Sequence, residues 1–239
     1  GGFPVLRFDV RGMGDSEGAP RSFEAISEDV GAALQALRRE VPSLRRVVLW
    51  GLCDGASAAL LYLHERNDPM VQGLVLLNPW VRSEQSLART HVKHYYRQRL
   101  MQREFWVKLF SGKVAATALQ DLFSSMSTAR GERGSTAANG DDPCYRTRMA
   151  LAWRRFDGPV LLVLSGQDYT AKEFMEYAST DRAWHGVCDG PAVEKLDLEA
   201  AEHTFARDDD RVAVERATLG WLKRQPPDNR RRPHQRGGC

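Results

Sequence analysis

Nothing in these 239 residues is apolar for long enough to cross a membrane, because no run approaches the roughly 20 residues that a bilayer span needs. No basic-then-apolar leader opens the sequence. Cysteine is scarce: Cys53, Cys144, Cys188 and Cys239 are scattered, and none falls in a C-x-x-C pair, which argues against a metal site. A reducing cytoplasm is the expected compartment. Excess charge is also lacking. The net charge is only +3, and the segment from Arg224 to Cys239 holds five arginines against Asp228. The rest of the chain is therefore slightly acidic, which excludes the basic footprint of a nucleic-acid binder. That Pro-containing basic tail reads as a disordered end.

What is present is an alternation of short apolar runs and amphipathic stretches. Val5–Val10, Arg46–Trp50, Gly73–Leu77, Val160–Leu164 and Val193–Leu198 read as strands. Helices are expected from a Ser22 cap to about Arg39, from Gly55 to His64, from Lys172 to Ser179 and from Asp210 to Lys223. In the first of these, Phe23, Ile26, Val30, Leu34 and Leu37 recur at helical spacing. Nearly all-apolar strands separated by helices imply an α/β fold with a mainly parallel sheet covered on both faces. The expected division is a first core part over 1–79, a helical cap or lid insertion over 80–157, a second core part over 158–224 and the tail over 225–239. A helix over Cys144–Phe156 closes the insertion.

One stretch carries chemistry. In "VVLWGLCDGASAALLYL" a strand runs into a Gly-flanked turn and then an apolar helix, with Cys53 at the apex between Gly51 and Gly55. A nucleophile elbow has this layout: the chain reverses sharply, so the neighbours must be small. The N–H of Asp54 is placed to donate to an oxyanion, and the helix N-terminus favours a thiolate, although the Asp54 carboxylate opposes one. "LSGQDYTAKEF" then puts Asp168 after the fourth strand, and "LEAAEHTF" puts His203 after the fifth. Nucleophile, acid and histidine follow in the order this architecture uses, each at a strand's C-terminal end. Cys53 would attack, His203 would take its proton and Asp168 would orient His203.

Other readings compete residue by residue. Asp168 also suits a helix cap. Ser57, in a weak G-x-S-x-A echo, would push the turn into the helix and leave Gly51 without a purpose. His185 precedes the last strand, out of order; His64, His91 and His94 fall in expected helices and His234 in the tail. Asp9, Arg11 and Ser16 in "FDVRGMGDSEG" read as a hydrogen-bonded structural turn.

The segments "GFPVLRFDVRGMGDSEG", "GLCDGASAALLYL", "SGQD" and "EHTF" resemble an α/β-hydrolase. More narrowly they are similar to the exosortase A system-associated hydrolases of exopolysaccharide gene clusters, of the type with Cys in the elbow. Dienelactone hydrolases are similar in using a Cys-His-Asp set. The resemblance spans about residues 2–224 and implies Cys53, Asp168 and His203 as nucleophile, acid and base. It implies hydrolysis of a small-molecule ester, thioester or lactone through an acyl-enzyme, or acyl transfer to a glycan hydroxyl. No cofactor, metal, nucleic acid or membrane span is expected, and the sequence does not set the oligomeric state. Family members begin with further strands and a Gly-rich loop supplying a second oxyanion donor. These would precede Gly1, so a fragment of low stability and weak activity is expected; one lost donor costs roughly two to three orders of magnitude in rate. A non-catalytic binding module, or a redox thiol at Cys53 resolved by Cys144 or Cys188, are the rival functions.

Overall fold

Four of the expected apolar runs become strands because each can lie beside another. The computed structural model describes residues 2–81 and 143–225. Its strands are β1 (Val47–Leu52), β2 (Val71–Leu77), β3 (Val160–Ser165) and β4 (Val193–Leu198). They pair in the order β1-β2-β3-β4, parallel throughout. The helices are α1 (Ser27–Glu40), α2 (Asp54–Arg66), α3 (Tyr145–Arg155), α4 (Tyr169–Thr180) and α5 (Asp208–Arg224). This is the α/β-hydrolase fold: a parallel sheet flanked by helices. The described residues 2–80 and 143–225 belong to one compact unit, so α3, which packs on α2, lies within it. Residues 82–142 of the expected 80–157 insertion and the tail beyond Gln225 lie outside the described residues.

The strand period of two divides the sheet's side chains between its faces. Val75, Leu77, Leu161 and Val163 pack with Val214 and Trp221 of α5 on one face. Leu74, Leu76 and Leu162, equally buried, therefore turn to the other. Helix α2 is apolar nearly all round, with Ala56 through Leu63 buried. A helix of that pattern must be surrounded, and it packs against β1, β2, α1 and α3.

Two expectations are corrected. Val5–Val10 is not a strand. Its backbone joins no ladder, and Val5 stands 85% exposed; an apolar run becomes a strand only where a hydrogen-bonding neighbour is available. The segment instead forms one wall of a groove of about 760 Å³ along β1, with Trp50, Leu34 and Leu222 also lining it. The Ser22 helix also starts late. Phe23–Ala25 is a single 3₁₀ turn, Ser22 makes no side-chain cap, and α1 begins at Ser27. The turn after Val10 is structural, as expected: Ser16 Oγ donates to the Asp9 carbonyl at 2.7 Å, and Arg11 pairs with Glu28 and Asp29.

Candidate active site

The register brings Leu52, Leu77, Ser165 and Leu198 to the same edge of the sheet. In the chain, Cys53 follows the end of β1, Asp168 that of β3 and His203 that of β4, the edge at which ligands bind in open parallel sheets.

At the end of β1, Cys53 sits between strand and helix with φ 59° and ψ −119°. That conformation is rare for a residue with a Cβ and costs of order 1–3 kcal/mol. Three backbone hydrogen bonds hold it: the Cys53 N–H donates to the Leu77 carbonyl at 2.8 Å, and its own carbonyl starts α2 by accepting from Ala56 and Ser57. The flanking glycines are not equivalent. A Cβ on Gly51 would lie 2.4 Å from the carbonyl carbon of Gly55, so the strand can pass the helix only without a side chain there. A Cβ on Gly55 would meet no described atom within 4 Å. The requirement for smallness expected on both sides thus rests on Gly51. Asp54 is exposed, and its carboxylate accepts from the Gly55 N–H at 2.9 Å.

Beyond β3, Asp168 does two jobs at once. It caps α4, accepting from Thr170 N–H at 2.9 Å and Ala171 N–H at 3.3 Å. The oxygen that faces Ala171 also meets His203 Nδ1 at 2.7 Å. The capping and orienting readings are therefore not alternatives. The carboxylate is 8% exposed and the imidazole 36%, so the carboxylate is held inside and the ring reaches outward. With Nδ1 facing a carboxylate, Nε2 is the ring nitrogen left to accept a proton.

The loop carrying His203 is pinned on both sides. Ala201 and Phe205 are buried in the core beside β2 and β3, and Phe205 takes φ 52° to get there. The acid and histidine loops are also joined through backbone. Gly166 N–H donates to Leu198 O at 2.9 Å and Gln167 N–H to Ala201 O at 3.0 Å. A Cβ on Gly166 would lie 2.3 Å from the Glu199 carbonyl oxygen, so the two loops close only over a glycine.

Ser57 is fully buried. Its hydroxyl donates to the Trp80 carbonyl at 2.7 Å and accepts from the Trp80 N–H at 2.8 Å. It clamps the chain leaving β2. Cys188 is buried, and burial pushes its thiol up to about 12, which makes it a poor resolving thiol. Among the described residues, Cys144 is the exposed free cysteine. Partial burial raises its pKa, but hydrogen bonds from Thr147 and the nearby Arg146 outweigh that, leaving it below the usual thiol value. Among the described residues no group of His, Cys, Asp and Glu could hold a metal ion, and no helix is long and apolar enough to cross a membrane.

One residue in the cluster was not singled out from sequence. Asn78, directly after β2, is completely buried with φ 44°. The signal was available, since an amide directly follows the wholly apolar run Leu74–Leu77.

The sequence model of a family described as serine aminopeptidase, S33, matches residues 1–156. Solved structures share the fold. The esterase Pf2001 of Pyrococcus furiosus superposes with TM-score 0.53 at 16% identity, covering 90% of this chain and 68% of that one. Rv0554 of Mycobacterium tuberculosis gives 0.52 at 16% identity, covering 92% and 79%. BpoC of M. tuberculosis H37Rv gives 0.50 at 18% identity, covering 90% and 80%. None of the curated proteins matches the chain.

Proposed function

The chain belongs to the serine aminopeptidase S33 family of the α/β-hydrolase superfamily, and from that premise we propose that it is an acyl hydrolase with Cys53 in the nucleophile's place. The observation that carries the proposal is the strained backbone of Cys53, a non-glycine residue at φ 59° at a strand–helix junction. Strain of that kind clusters where a side chain must be presented for chemistry. The His203–Asp168 pair supports it, since a base and the group that orients it lie at the same sheet edge.

In this reading Cys53 Sγ attacks an ester, thioester or lactone carbonyl, and its proton passes to His203 Nε2. The tetrahedral oxyanion is met by the Asp54 N–H at the first position of α2, where the helix terminus favours negative charge. The imidazolium that forms is stabilised by Asp168. It returns the proton to the leaving oxygen or sulfur as the acyl-enzyme forms. Water, deprotonated by His203, then releases the acid and the thiol. Small-molecule esters, thioesters and lactones are the first class to screen, alongside acyl transfer to a glycan hydroxyl.

The test is acylation by p-nitrophenyl acetate, read by intact mass with peptide mapping. A Cys144→Ser background removes the exposed low-pKa thiol, which would otherwise react on its own. The expected result is an acetyl group on Cys53, absent in Cys53→Ala and slowed in His203→Ala. Turnover of the ester undiminished in Cys53→Ala would refute the nucleophile.

A further inference from the structure

The strand that supplies neither nucleophile, acid nor base, β2, touches all of their supports at its C-terminal end. Leu77 accepts from the Cys53 N–H at 2.8 Å, and the Asn78 N–H donates to Val163 O at 3.0 Å. The Asn78 side chain does the rest. Its Oδ1 accepts from the Ser165 N–H at 2.9 Å. Its Nδ2 donates to Ser165 Oγ at 2.8 Å and to the His203 carbonyl at 3.1 Å. Both amide hydrogens are used, which is what a fully buried amide requires. The left-handed backbone at φ 44° is one that Asn tolerates better than most residues.

We propose that Asn78 is a positioning residue for the base: it fixes the backbone of His203 relative to the strand end that holds Cys53. The inference rests on the acyl-hydrolase reading above. His203 has two polar tethers of different kinds, Asp168 on its ring and Asn78 on its carbonyl. A ring held only by Asp168 can pivot about that bond; fixing the main chain as well leaves one placement for Nε2. The same residue pair, Leu77–Asn78, thus sets both partners of the proton transfer. Misplacement of such a pair by about 1 Å costs on the order of 100-fold in rate.

The experiment compares Asn78→Asp with Ser165→Ala. Aspartate keeps the shape, the tolerance for φ 44° and an acceptor for Ser165, but it has no amide hydrogen for the His203 carbonyl. Ser165→Ala removes a neighbouring buried hydrogen bond and leaves the one to His203 in place. Steady-state hydrolysis of p-nitrophenyl acetate is followed across pH in the Cys144→Ser background. A new carboxylate near His203 favours the imidazolium, so charge alone moves the acidic limb of the profile to higher pH and leaves the plateau untouched. Loss of positioning lowers the plateau.

Asn78→Asp is expected to drop plateau kcat about 100-fold with KM changed less than about threefold, while Ser165→Ala keeps the plateau within about fivefold. Imidazole ¹⁵N spectra of His203 give a second readout that needs no turnover: the Nδ1–H signal of the Asp168 hydrogen bond should shift or broaden in Asn78→Asp and persist in Ser165→Ala. A wild-type plateau and an unchanged Nδ1–H signal in Asn78→Asp overturn the proposal, even when Cys53→Ala abolishes turnover and so upholds the nucleophile. If turnover ignores Cys53 and the Nδ1–H signal still follows Asn78, the positioning of His203 stands and the nucleophile reading falls.

Discussion

The two halves of the candidate site are built by opposite means. The elbow at Cys53 is local: strand, turn and helix are contiguous, and the strain at φ 59° is held by Gly51 passing Gly55 four residues on. The acid–histidine half is assembled at long range. Asp168 and His203 are 35 residues apart, and Asn78 ties Ser165 at the end of β3 to His203 from separations of 87 and 125 residues. A local device stores its geometry in steric exclusion and has little tolerance. A long-range one distributes its geometry over several hydrogen bonds and buried anchors, so that single changes uncouple its jobs one at a time.

Asp168 offers the largest expected effect and tests that uncoupling. An asparagine in its place would keep the Thr170 half of the α4 cap, but its NH₂ would stand where one oxygen now accepts from Ala171 and meets His203 Nδ1, presenting an N–H to the ring and so reversing the tautomer. In Asp168→Asn, kcat is therefore expected to fall about 10⁴-fold, as for the equivalent change in a serine protease triad, while stability falls by only the weaker, Ala171 part of the cap. Asp168→Ala should lose the cap as well, about 1 kcal/mol more in stability. Denaturant titration beside ester turnover separates the two. Equal loss of stability in both variants would mean that the capping role has been misassigned.

At the elbow, no such separation is expected. In Gly51→Ala the new methyl would collide with backbone, not with a side chain that can move, so destabilisation of roughly 3 kcal/mol or more should accompany loss of acylation. Gly55→Ala meets open space among the described atoms and should stay within about 0.5 kcal/mol of wild type. A matched loss at both glycines would remove the asymmetry and restore the simpler idea that both neighbours must be small.

The same contrast explains what the sequence revealed. Contiguous devices leave contiguous patterns: the elbow, the apolar strands and the order Cys53, Asp168, His203 could all be read from spacing. β4 is found as expected at Val193–Leu198. Val5–Val10 had the same apolar run and failed, because pairing depends on a neighbour that the run itself does not encode. Asn78 does not stand out in the sequence, because its value comes from Ser165 and His203 arriving beside it. Ser57 was weighed as a nucleophile from local spacing, and tertiary contacts with Trp80 gave it a different task.

The smallest effect bears most directly on why Cys53 is held as it is. Replacing a residue by glycine ordinarily destabilises a chain relative to alanine, by roughly 0.5–1 kcal/mol within regular structure. At φ 59° and ψ −119° that order should reverse, since glycine alone enters this region without a Cβ penalty. Neither replacement has a thiol, so the comparison isolates backbone strain from packing of the sulfur. Cys53→Gly is expected to exceed Cys53→Ala by about 1 kcal/mol, a rise of about 2–4 °C in melting temperature for a chain of this size. Both variants should be equally inert toward the ester. If alanine proves the more stable, the Cys53 conformation is relaxed and the strain that singles out this residue for chemistry is absent. If glycine does, the native chain has accepted a weaker fold at this position to keep a thiol presented there.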